Sequence, residues 1–232
     1  MTKIKFNISI FLLMMSVMTF SACSSDDDAP SSKIAPAATG SFTDSRDGET
    51  YGWVRYGKLD WMTENYRYDS QNSTIYLDAD EYETNPNSTR NLAKFGRLYN
   101  LEGAKAACPE GWRLPTDADW QNLEQQMGMS AGDAGKREWR GNIARRMFSS
   151  YGDNSPLNLM LGGYYTTHTT MATPGWRFMG AYGYYWTSTE DTEKTGNFVF
   201  FRKLFYAYDG VYRESAETEN IKMSVRFVRD AQ

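Results

Sequence analysis

Apolar positions change rhythm along the chain, and each rhythm predicts a different element. Between Tyr51 and Met62 they fall into two short runs, YGWVRY and LDWM, split by Gly57-Lys58 and preceded by the Asp47-Gly48 turn signal. That pattern predicts a β-hairpin or small meander. From Tyr68 to Arg90 it dissolves into Asn, Asp and Ser, as in a long surface loop with at most a short strand over residues 74–77. Steps of three and four then appear. Leu101, Ala104 and Cys108 predict the inward face of a short helix, capped by Asn100 and unable to continue through Pro109. Trp120, Leu123 and Met127 predict a second helix. Thr116-Asp-Ala-Asp119 opens it as a capping box with Asp in place of Glu, and Gly128 ends it. Asp117 and Asp119 then stand at its positive end. A third helix is predicted over residues 135–148, burying Trp139, Ile143 and Met147 and turning Arg140, Arg145 and Arg146 to solvent.

Beyond Leu157 glycine pairs alternate with aromatics in LGGYY, GYYWTSTE, NFVFFRKLFYAYDGVYR and SVRFVRD. Asp209-Gly210 predicts a hairpin turn between two aromatic runs. Val225 and Phe227 point one way and Arg226 the other, the signature of a half-buried strand. Helices in the first half and an antiparallel sheet in the second predict an α+β domain.

The N-terminus follows a different logic. Lys3 and Lys5 precede an apolar run from Ile8 to Phe20, too short to span a bilayer comfortably, and small residues follow. This is a secretory signal, and Phe20-Ser21-Ala22-Cys23 resembles a bacterial lipobox in which Cys23 carries the lipid. The chain is then anchored to a membrane rather than threaded through it. Ser25, Asp26, Asp27 and Asp28 resemble the export signal of surface lipoproteins of Bacteroidota-type bacteria, so the expected address is the outer membrane, cell-surface exposed. The plain alternative for these residues is a solvated acidic tether. Expected boundaries are a signal peptide over residues 1–22, a lipidated acidic tether and spacer over 23–40, and one domain over 41–232.

Composition narrows the function. The net charge is −4, part of it in the tether, and no basic patch suggests nucleic acid. Two cysteines are present, and with Cys23 assigned to lipid Cys108 has no partner within the chain. A buried inert thiol or an intermolecular bond remains, burial being the commoner case.

Four stretches resemble one family: Asp44–Asn65, Gly96–Leu123 (GRLYNLEGAKAACPEGWRLPTDADWQNL), LNLMLGGYY at Leu157–Tyr165, and GYYWTSTE with SVRFVRD at the end. The chain is identified as a member of the Fibrobacter succinogenes major paralogous domain family, within the C-type lectin-like and sulfatase-modifying-factor fold group. The resemblance implies a C-type lectin-like fold, two or three helices packed on a twisted antiparallel sheet, with close termini. The family's closing SVRCV carries a cysteine whose usual partner would be Cys108. Here Phe227 stands in that place, so the implied disulfide is missing. Leu59 replaces the glutamine of the family's G-x-Q-x-W.

Catalytic chemistry finds little support. The formylglycine-generating branch of the fold shares an RLPTEAEW-like motif, matched by Arg113–Trp120, but needs a cysteine pair for copper. His168 is the one histidine, unaccompanied by a nucleophile motif, and zinc lacks nitrogen and sulfur ligands. Calcium needs only oxygens. Asp78, Asp80, Glu81 and Glu83, or Glu190, Asp191 and Glu193, offer them without EF-hand spacing, and no lectin calcium motif stands in the chain. No metal or other cofactor is therefore expected, calcium being the one kept open. Binding is the expected activity, since aromatic faces stack on sugar rings and amides hydrogen-bond hydroxyls. Trp176 leads the candidates, in a Thr-Pro-Gly loop context, with Asn154, Asn158, Tyr164, His168 and Tyr182. Trp112, Trp120 and Trp186 belong to fold-carrying motifs. The expected function is a non-catalytic module binding a glycan or a surface protein. The alternative is a structural or assembly subunit of a surface adhesin or appendage, and an enzyme is the remaining reading.

Overall fold

A computed structural model describes residues 34–78, 80, 84–149, 154–168 and 175–232. The signal peptide, Cys23, Ser25, the Asp26–Asp28 run, Glu81 and Glu83 lie outside the described residues. The domain is α+β, built from antiparallel sheets and four helices among the described residues. The first sheet runs β1 (Thr39–Thr43), β2 (Thr50–Tyr56), β3 (Leu59–Met62) and β13 (Val228–Asp230), so the two ends of the domain pair into one layer. The predicted hairpin is its centre, with Val54 opposite Trp61 and Tyr56 opposite Leu59. Ordered contacts reach back into the stretch read as spacer. The Tyr56 hydroxyl donates to the Ile34 carbonyl (2.9 Å), and the Ala37 amide donates to Arg55 O (2.9 Å).

β4 (Ser73–Ile75) pairs with β5 (Arg97–Tyr99), and the four-residue α1 (Leu92–Phe95) lies between them. α2 (Leu101–Ala107) and α3 (Asp117–Gln126) begin as their caps dictate. Asn100 Oδ1 accepts from the Gly103 amide (2.8 Å). Thr116 Oγ1 accepts from the Asp119 amide (3.1 Å) while Asp119 Oδ2 accepts from the Thr116 amide (2.7 Å). Trp120, Leu123 and Met127 are buried on the predicted face, and Gly128 adopts φ +101° where a side chain would be strained. The third helix does not form. Residues 131–134 make a single turn, α4 (Ala131–Ala134), followed by β6 (Glu138–Arg140) and a 3₁₀ turn at Ala144–Arg146. Glu138 and Gly141, at φ +64° and +61°, break the helical path.

The second sheet has the order β6, β11 (Tyr208–Glu217), β10 (Phe198–Phe205), β9 (Tyr182–Glu190). A small third sheet joins β12 (Ile221–Lys222), β7 (Tyr164–Thr166) and β8 (Trp176–Arg177). The β10–β11 turn falls at Tyr206-Ala207, not at Asp209-Gly210, which lies inside β11. One apolar cluster fills the space between the first sheet, α3 and one face of the second sheet, with Trp61, Trp120, Tyr185 and Leu204 at its centre. Another gathers Tyr51, Tyr66, Trp112, Trp186, Phe201 and Phe227.

Buried arginines hold this core together, among them Arg140 and Arg226, both expected on the outer side. Arg140 is buried, not solvated: its Nη1 and Nη2 donate to Glu124 of α3 at 2.8 and 2.9 Å. Arg202 Nε donates to the same carboxylate (2.6 Å), and its Nη1 reaches Asp117 (2.7 Å). Arg213 Nη2 binds Asp117 from β11 (2.7 Å). Three guanidiniums and two carboxylates thus clamp α3 to the second sheet. Burial raises the Asp117 carboxyl, but hydrogen bonds from Arg213 and the charge of Arg202 outweigh it and hold the group at about 2. Burial pushes Arg140 down from its ordinary value. Arg226 is also fully buried, not on the outer side of a strand, and β13 begins only at Val228. It donates to the carbonyls of Met62 (2.9 Å), Leu157 (3.1 Å) and Asn158 and to Asn65 Oδ1 (2.8 Å). It stitches together three segments that would otherwise bury unpaired carbonyls.

Candidate functional site

Alternation along β10 separates two faces of the second sheet. Arg202 and Leu204 point into the domain, toward α3 and the core. Phe201, Lys203 and Phe205 point the other way, and the register lines them up with aromatics on the neighbouring strands. Lys203 sits opposite Tyr184 on β9 and Tyr212 on β11, and Tyr212 sits opposite Trp139 on β6. A row Tyr184–Lys203–Tyr212–Trp139 therefore crosses all four strands. The next row toward the turn is Tyr182–Phe205–Tyr208.

The rings touch along the whole face. Tyr182 stacks on Phe205 with centroids 4.4 Å apart and planes 13° apart. Tyr184 contacts Tyr164 at 4.9 Å, and Phe178 contacts Tyr182 at 5.3 Å. At the far side Trp139 meets Tyr212 at 5.2 Å and Tyr208 at 5.1 Å. Trp186 and Phe201 are buried at one end of the face, but the other end opens to water. There Phe178 is 49 % exposed, Tyr206 37 % and Tyr208 50 %. These are the large apolar side chains most exposed among the described residues. Phe178 also holds φ +66°, a conformation costing a bulky residue roughly 1–3 kcal/mol. A strained, half-exposed phenyl contributes little to the core. A contiguous aromatic surface of this kind, open to water at one end, is the candidate interaction site of the domain.

Lys203 stands in the middle of this floor. Its ammonium lies 3.7 Å from the Tyr212 ring centroid and 5.0 Å from that of Trp139. Burial lowers its pKa from the ordinary lysine value. Burial also raises the hydroxyls of Tyr184 and Tyr212, so the phenols stay protonated and available as donors at neutral pH.

The candidates from the sequence scatter. Tyr164 and Tyr182 belong to the aromatic face. Trp176 is half-buried against Tyr165 at 5.0 Å, on the opposite side of the third sheet from Tyr164. His168 projects into solvent with Nε2 3.3 Å from Glu217 Oε1. Asn154 is exposed. Asn158 is structural: its Nδ2 donates to Thr63 O (2.9 Å), and it adopts φ +52°. The Glu190–Glu193 stretch is occupied by a cation of the chain itself, for Arg137 reaches Asp191 (2.9 Å), Glu193 (2.7 Å) and Glu214 (2.6 Å). Trp139, Lys203, Phe205, Tyr208 and Phe178 escape sequence reasoning. The alternation of NFVFFRKLFYAYDGVYR announces the strands, yet nothing local says which face stays open.

Cys108 caps α2 as a half-buried free thiol, packed against the cluster that contains Phe227. Its Sγ donates to Trp112 O (3.2 Å), and burial pushes its pKa up to about 11. That is an inert thiol in partial contact with water, less enclosed than expected. A separate cleft of about 560 Å³ opens between the β2–β3 turn and α3. It is lined by Lys58, Arg113, Asn122 and Gln126, and Arg113 is committed to Asp119 (2.5 Å).

The family profile of the Fibrobacter succinogenes major domain matches residues 54–229. The chain belongs to that family. The match runs from β2 to β13 and encloses every strand of the aromatic face. No curated protein and no solved structure gives a match. Two stretches that carry the family resemblance are structural here: Arg113–Trp120 builds the start of α3, and SVRFVRD delivers the buried Arg226 and Phe227.

Proposed function

We propose that this protein is a non-catalytic glycan-binding module of a surface lipoprotein, and that it binds through the outer aromatic face of the second sheet. The carrying observation is the unbroken run of rings from Phe178 and Tyr182 to Tyr208 and Trp139, open to water at one end. Tyrosine and tryptophan offer flat apolar area at low entropic cost together with polar tips, which suits the two-sided chemistry of a pyranose. The fold we assign to the domain is C-type lectin-like, supported by the joining of both ends in the first sheet through β1, β2, β3 and β13. Ring stacking needs no metal, so this mode of binding is independent of calcium. The lipobox cysteine Cys23 and the acidic Ser25–Asp28 signal support an anchor on the outer membrane, with the module facing outward. Among the described residues no helix is long and apolar enough to cross a membrane.

A glycan array probed with the purified protein, with calcium and with a chelator, tests the reading. Hits that survive the chelator are expected. An array without hits, together with a stoichiometric surface protein co-purifying from intact cells, would replace it with the assembly-subunit reading.

A further inference from the structure

Lys203 is the feature of the aromatic face that the binding reading leaves unused. The other cations of β6, β10 and β11 have acids, as do two that flank them. Arg137 holds Asp191, Glu193 and Glu214, and Lys194 shares Glu214 at 3.2 Å. On the inner face Arg140, Arg202 and Arg213 share Glu124 and Asp117. Lys203 has neither an ion pair nor a hydrogen bond among the described residues and rests on the rings of Tyr212 and Trp139. Glu138 on β6 and Glu214 on β11 act on the Tyr212 hydroxyl through their charge, but neither forms an ion pair with Lys203. Glu214 is already taken by Arg137 and Lys194. A half-buried ammonium without a counter-charge costs solvation, which the cation–π contacts with Tyr212 and Trp139 return only in part. Held between aromatic rings on a face open at one end, it is an anion receptor with apolar walls.

We infer that the ligand of the aromatic face is a negatively charged saccharide, whose carboxylate or sulfate meets Lys203 while the sugar ring lies on Trp139 and the exposed Tyr208. This rests on the glycan-binding reading. The two walls answer two parts of such a ligand: the ring planes take the apolar C–H face of the pyranose, and the ammonium takes the exocyclic acid as a point charge. A neutral glycan would leave the lysine desolvated and unpaired, which is the discrimination a buried polar group imposes.

The test is an array carrying matched pairs. Uronate oligomers are printed beside their carboxyl-reduced forms, sialylated glycans beside their desialylated forms, and sulfated glycans beside desulfated ones. The full-length protein, Lys203→Met, Lys203→Arg and the double variant Tyr182→Ala/Tyr208→Ala are compared, each with its melting temperature. The inference expects hits confined to acidic members, lost by about tenfold or more in Lys203→Met and retained in Lys203→Arg. Carboxylate pairs and sulfate pairs report separately which acid is read. Equal binding of both members of each pair, unaltered in Lys203→Met but lost in the Tyr182/Tyr208 variant, overturns the acidic ligand and leaves the aromatic face standing. Absence of any hit overturns both. If Lys203→Met melts early, the wild-type comparison within each pair decides, and it needs no variant.

Discussion

Replacing Glu124 by Gln should cost far more than its place on a ten-residue surface-facing helix suggests. Glu124 is fully buried and accepts three hydrogen bonds, from Arg140 Nη1 and Nη2 and from Arg202 Nε, at 2.8, 2.9 and 2.6 Å. Glutamine keeps the shape but removes the charge and turns an N–H₂ toward guanidinium donors. Asp117 is then the remaining carboxylate for Arg140, Arg202 and Arg213. Breaking a buried pair while its partner stays in place costs about 3–5 kcal/mol. For a domain of this size that corresponds to a fall in Tm of roughly 6–20 °C. Urea unfolding followed by tryptophan fluorescence measures it, with a lower midpoint and an unchanged slope expected. Glu124→Leu combined with Arg140→Met should recover part of the loss, because the second change removes an uncompensated charge. A loss under about 1 kcal/mol for Glu124→Gln would refute the clamp.

Other outcomes follow from the same contacts. Asp44, held at about 2 by the Arg46 hydrogen bond, and Asp191, held at about 2 by Arg137, join Asp117 in having folded pKa values below the ordinary 3.8. Their contribution is complete above about pH 4 and is lost as pH falls toward 2, so an acid titration by circular dichroism should show unfolding in that window and none between pH 5 and 7. Cys108, with its thiol at about 11, should react with iodoacetamide at pH 8 on the order of a hundredfold more slowly in the folded protein than in urea. Phe178→Asn should leave the unfolding free energy within about 0.5 kcal/mol of wild type, since asparagine tolerates the left-handed backbone, while weakening glycan binding. Cys23→Ala should move the protein from the detergent phase to the aqueous phase of cell extracts, and retention with membranes would remove the lipid anchor from the account.

What can be read in advance is local. The Thr116–Asp119 box, the Asn100 cap, the Gly128 stop and the hairpin around Gly57-Lys58 each depend on a few neighbouring residues, and each appears as expected. Residues 135–148 mislead because Trp139, Ile143 and Met147 recur every four positions, and only the backbone turns at Glu138 and Gly141 undo the helix. The buried arginines are illegible for a different reason. A charge reads as solvent-exposed until its partner is known, and the partners of Arg140 and Arg213 lie 16 and 96 residues away. The aromatic face stands between these cases. Its strands are visible as aromatic runs, but Phe201 is buried and Phe205 half-buried by what happens to cover each. Thr-Pro-Gly suggests an open loop for Trp176, whereas its ring faces Tyr165.

A glycan stacked on the outer face of the second sheet shields the rings of that face from solvent. Hydroxyl-radical footprinting of the full-length protein, with and without a saturating glycan from the array, reads the oxidation of each aromatic side chain by mass spectrometry. Protection is expected at Phe178, Tyr182, Tyr206, Tyr208 and Trp139, with His168 and Trp176 unchanged. Protection at the cleft between the β2–β3 turn and α3, with those five rings unaffected, would contradict binding on the aromatic face.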